Sequence, residues 1–219
     1  MVAAFAMVFA GFARPYYLRA SFGGPALPLL LHLHGALTTS WFALFFTQTC
    51  LIDSHRIAWH RRLGIVGAVL ALLLVAVGIT TVMRFASRYV HSPIDGPVAL
   101  SILGFSLVVL ALFLLFVGTA IVLRRRPDFH KRLMLLATLS LLPPAIVRIP
   151  IDFIWDRNSV SFLLTDLCVI VAVVIDTTRN RRLHPVFAWG TLLIIASTWL
   201  AYIAVQTQAW MHFATWLVS

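Results

Sequence analysis

Two short runs repeat one pattern: His60-Arg61-Arg62-Leu63-Gly64 and His130-Lys131-Arg132-Leu133-Met134. In each, a histidine and two basic residues stand immediately before a long apolar stretch, where a helix would begin. The partial positive charge of a helix amino terminus favours the neutral imidazole, which keeps a lone pair for coordination. If the two rings face one another they could hold a metal, most naturally haem b iron as paired axial ligands, with Arg61 and Arg132 as partners for the propionates. The same pattern would also serve simply to anchor two helices at a headgroup layer, where Arg and Lys are expected whatever the function.

A second set lies just upstream. His34, Thr38, Trp41, Phe45 and Gln48 recur at offsets of four, seven, eleven and fourteen, one stripe of a helix. A polar stripe facing lipid would be costly, so His34 and Gln48 are expected to point into protein, with His34 as a possible third ligand or a quinone contact. An interhelical hydrogen bond that only holds helices together is the other account. His32 lies about 200° round the helix from His34 and cannot share a metal with it. Further along, Asp166 is the only acidic residue well inside an apolar run, and Arg148 is the candidate cation nearest in depth, so the two are expected to pair. Pro143-Pro144 should kink the intervening helix and open a cavity below Arg148.

The elements that must position these residues follow from composition. Of 219 residues, 61% are hydrophobic and 11% charged, far from the roughly half apolar and quarter charged mix of soluble domains. Apolar runs at 28–50, 63–82, 98–123, 133–149, 160–175 and 186–205, with a weaker one at 1–13, predict an all-α polytopic bundle of seven spans in one domain. The first run is expected to tilt and continue past Arg14 through Tyr16, Tyr17 and Leu18, although an interfacial segment or a start placed too late would also fit. The sixteen arginines and single lysine punctuate the spans without forming a continuous basic stripe, which argues against nucleic acid. Eleven basic residues fall in the turns after spans two, four and six, against six in the alternate connections, so the amino terminus is expected inside and the carboxy terminus outside. The tail from residue 206, without charged residues but with Trp210, His212 and Trp216, suits the outer headgroup layer. Cys50 and Cys168 read as free thiols, and the absence of CxxC, CxxCH, glycine-rich phosphate loops and GxSxG excludes the usual soluble redox, phosphate and hydrolase motifs.

The stretch from Leu31 to Gly64, with His34-Gly35, Trp41, Gln48 and His60-Arg61-Arg62-Leu63-Gly64, together with the His130 run, resembles predicted bacterial multi-pass membrane proteins of unknown function. That resemblance implies the bacterial inner membrane and no activity. The chain is also distantly similar to small b-type membrane cytochromes, although His34 lacks an obvious outer mate other than His91 or His212. Three functions remain in competition. One is a haem- or metal-binding electron-transfer protein working with a quinone or another redox partner. The others are a proton-coupled transporter using Asp166, Arg148, His34 and Gln48, and an assembly or scaffold subunit without a cofactor.

Overall fold

The computed structural model describes residues 2–149 and 158–219; Met1 and Arg157, used in the span and charge readings, lie outside them. All regular structure among the described residues is helical. In chain order the α-helices are α1 (Val2–Phe12), α2 (Leu29–Asp53), α3 (Ile57–Tyr89), α4 (Asp95–Val122), α5 (Pro127–Ser140), α6 (Pro143–Ile146), α7 (Asn158–Asn180), α8 (Pro185–Ala204) and α9 (Gln208–Val218).

Helix starts follow local chemistry. Proline occupies the first turn of α5, α6 and α8, where its missing amide costs nothing. Thr207 and His184 cap α9 and α8 with side-chain acceptors, and Ser92 exchanges hydrogen bonds with Asp95 at the start of α4. The turn between α2 and α3 is tight: His55 adopts a positive φ of 57° just before α3 opens.

Among the described residues, five helices are long and apolar enough to cross a membrane: α2, α3, α4, the 160–180 portion of α7, and α8. This is compatible with an integral membrane protein and with lipid contact. Large apolar side chains such as Leu29, Ile65, Trp189 and Leu200 point outward, each more than three-fifths exposed. The other two expected spans take a different form. The run at 133–149 is divided, because Pro143 and Pro144 carry no amide hydrogen; α5 ends at Ser140 and Leu142 closes back on the Leu139 carbonyl at 3.0 Å. The expected kink is therefore a full break. The amino-terminal run forms the eleven-residue α1, whose helical path passes Arg14 as a wider π turn over Ala13–Tyr17 and a 3₁₀ turn over Arg19–Phe22.

These two short pieces pack on each other. Gly11 of α1 lies against the backbone of Ala145 in α6 so closely that any β-carbon would collide with the Ala145 carbonyl. Successive helices α2, α3, α4 and α5 pack side by side, while α8 packs on α4, α5 and α7. The main core gathers Trp41, Phe42, Phe113, Phe116, Leu136, Ile146 and Phe187. A second core, Val82, Ala86, Leu100, Leu103 and Ala214, seats α9 on α3 and α4, with Trp210 Nε1 donating to the Leu100 carbonyl at 3.1 Å. The carboxy-terminal tail is thus a docked helix, though Trp216 remains largely exposed.

Candidate functional site

His60 and His130 are each the fourth residue of their helix, α3 and α5, and both helices follow a turn at the same end of the bundle. Because α2 with α3 and α4 with α5 form similar hairpins, the equivalent positions come together. The two rings stand 6.4 Å apart between centroids, at 82° to each other. His130 Nδ1 lies 2.8 Å from the Ala120 carbonyl at the end of α4. A carbonyl only accepts, so Nδ1 carries the proton and Nε2 keeps the lone pair.

Among the described residues His60 has no such partner: its Nδ1 is buried and unbonded. Gln48, from the end of α2, donates Nε2 to the His60 backbone carbonyl at 3.3 Å, and its own Oε1 is also buried without a partner. Two unsatisfied polar atoms beside a pair of imidazoles mark a place with spare bonding capacity, since an orphaned buried group costs roughly 1–3 kcal/mol. Among the described residues no three of His, Cys, Asp and Glu converge, here or elsewhere.

The basic neighbours divide. Arg61 is exposed beside His60, and Arg62 lies over the Trp59 ring. Arg132 turns away from the histidines: it is 4% exposed, bonded to Asp176 of α7 at 2.8 and 3.0 Å in a bidentate pair, and it also donates to the Asp128 carbonyl. That guanidinium is committed to Asp176, which corrects the expectation that it serves a propionate. The same end holds Asp128, whose carboxyl is held below the usual carboxylate range by a 2.8 Å contact with Lys131. His184 packs on Phe129, and burial, aided by the Arg132 charge, pushes its imidazole down.

His34 lies elsewhere. The stripe expected on α2 does face inward, with Trp41 2% exposed and stacked edge-on against Phe113, and Thr38 bonded back to the His34 carbonyl. But His34 sits beside Gly78 of α3, and the rise of α3 from His60 to Gly78 is roughly 27 Å. It cannot be a third ligand to the same ion. Its Nδ1 and Trp41 Nε1 are buried without partners, while His32 faces outward beside Tyr16.

The expected Arg148–Asp166 pair is not formed. Arg148 donates to the Pro144 carbonyl and lies over the Phe12 ring. Asp166, 7% exposed, accepts from Trp199 Nε1 at 3.0 Å, and its Oδ1 is buried and unbonded. The break in α5 frees a guanidinium that its own last turn and α1 then hold. Both cysteines are free.

Sequence reasoning missed three features: Asp176 as the mate of Arg132, the Ala120 carbonyl, and Trp199. The first had a signal, since Asp176 and Arg132 lie at matching depth at one end of their helices. The second had none, because a backbone carbonyl is invisible to residue type. Comparison of the chain with protein-family models, curated proteins and solved structures finds no match.

Proposed function

We propose that this is a membrane electron-transfer protein in which His60 and His130 hold one haem b, or a single metal ion, at one end of the helical bundle. The observation that carries the reading is the 6.4 Å between their rings. Two imidazoles on opposite sides of one ion have their centres about 6 Å apart, given metal–nitrogen bonds of about 2 Å. The Ala120 carbonyl supports the reading by fixing the His130 tautomer, as an outer partner does for a ligating histidine. Ligand number favours haem over zinc: a structural zinc site takes four protein ligands, whereas porphyrin supplies four of the six around iron. Haem, when bound, supplies a one-electron couple. His60 and His130 would hold it, Gln48 would steady the His60 backbone, and Arg61 would be available to a propionate. A quinone or a second redox protein would complete the electron path.

The second reading, a proton-coupled transporter, is favoured by the unbonded Oδ1 of buried Asp166. One preparation separates the two. Protein purified in mild detergent from haem-replete cells should show a Soret band that is lost when His60→Ala and His130→Ala are combined and kept in Asp166→Asn. A colourless wild type overturns the haem reading; pH-dependent flux in vesicles, abolished in Asp166→Asn, would then favour transport, unchanged flux in that variant would reject the role of Asp166, and no flux in the wild type would leave a scaffold.

A further inference from the structure

At the opposite end of the bundle from the histidine pair, three arginines from two distant parts of the chain line one cleft. Arg14 and Arg19 come from the turns after α1, and Arg148 follows α6; Pro15, Phe22 and Gly24 complete the wall of a cavity of about 430 Å³. Each guanidinium is held by something other than a carboxylate. Arg19 donates Nε to the Pro25 carbonyl at 2.7 Å and Nη1 to the Pro15 carbonyl at 3.2 Å. Arg148 is braced by the Pro144 carbonyl and the Phe12 ring, and Arg14 by the Phe22 ring at 5.5 Å. Among the described residues, none of the three forms a salt bridge; the ion pairs lie at the Asp128 and Asp176 end.

Three like charges gathered in one cleft repel one another, and nothing in this arrangement offsets that among the described residues. The contacts that hold them leave further N–H groups of each fork available, since a guanidinium carries five. Gly24 contributes by its lack of a side chain: a β-carbon there would lie 2.8 Å from Arg19 Cγ and 3.0 Å from its Nε, so glycine admits the arginine folded across the turn. Guanidinium forks match the oxygens of phosphate in geometry and charge. Beside them, Phe22 is 58% exposed and presents an apolar wall. Basic pockets among membrane helices are suited to anionic headgroups for the same reasons.

We propose that this cleft binds a phosphate-bearing anion, either the headgroup of an anionic phospholipid or a free phosphate compound, gripped by Arg14, Arg19 and Arg148. The site is independent of the histidine pair. It is tested by titrating the full chain in neutral detergent with dioctanoyl phosphatidylglycerol in one arm and inorganic phosphate in the other, followed by native mass spectrometry and thermal unfolding. Saturable binding is expected in at least one arm, and the arm that saturates identifies the source. Arg19→Gln and Arg148→Gln should weaken it about tenfold or more, and Arg126→Gln, at the other end, should leave it unchanged. Arg19→Lys and Arg148→Lys keep the charge and lose the fork, so each should weaken binding severalfold even if a glutamine variant fails to fold. No saturable binding in either arm, or affinities in the folded Arg19 and Arg148 variants equal to the wild type, would overturn the proposal.

Discussion

Gln48 donates its amide nitrogen to the backbone carbonyl of His60 at 3.3 Å, across the turn that joins α2 to α3, while its oxygen stays buried and unbonded. The bond ties the end of one helix to the first turn of the next, and so fixes where the His60 backbone sits.

Gln48→Leu removes that tie without opening a large void. Outer contacts of this kind typically change metal affinity about 10–100-fold. Haem titration of the purified variant should show a loss in that range with the thermal midpoint close to wild type. Equal affinity in variant and wild type would remove Gln48 from the account.

Arg132, buried, and Asp176, half-buried, form the one bidentate ion pair among the described residues, and removing the carboxylate strands the buried guanidinium. Asp176→Asn should cost about 3–5 kcal/mol in unfolding experiments, whereas Arg132→Met combined with Asp176→Leu should recover most of the loss. If the single variant unfolds like wild type, the pair contributes little and Arg132 regains a possible role beside the histidines.

Gly11 sets how closely α1 approaches α6. Gly11→Leu forces the two backbones apart, and overpacking of this kind costs about 1–3 kcal/mol. The expected readout is faster proteolysis near residues 13–25 in the variant, because α1 holds those turns in place. Identical digestion of variant and wild type would mean that α1 is not seated there.

His184 must be neutral to accept the Val186 amide as a helix cap, and burial lowers its folded pKa. A lowered pKa means that the unfolded chain takes up the proton first on acidification. The contribution is therefore complete above the unfolded value of about 6.5 and is lost as pH falls through the lower folded one. The thermal midpoint of wild type should drop across that window more than that of His184→Asn, which keeps a cap but does not titrate. Parallel pH profiles would contradict the assignment.

The helical architecture was readable because apolar run length is a direct consequence of hydrocarbon thickness, and α2, α3, α4, α7 and α8 follow it closely. The sequence also carried the histidine juxtaposition, since a repeated start motif places equivalent residues at equivalent depth. Depth alone misled for Arg148 and Asp166, because residues at one level can lie on opposite sides of a bundle, and a double proline frees the chain to turn the guanidinium toward α1. His34 failed as a third ligand for a related reason: sharing a face with Gln48 puts two residues on one stripe, not at one height. The sequence pointed to a cavity by Arg148, but the gathering of Arg14 and Arg19 beside it was not legible, being assembled by π and 3₁₀ turns that no periodicity reports.

The central claim is that two imidazoles share one iron, and carbon monoxide tests it most directly. With His60 and His130 both bound, the reduced wild-type spectrum should be insensitive to carbon monoxide, while His60→Ala, retaining a single axial histidine, should bind the gas and shift its Soret band. A wild type that takes carbon monoxide as readily as the variant, or a preparation without any Soret band, would contradict the account.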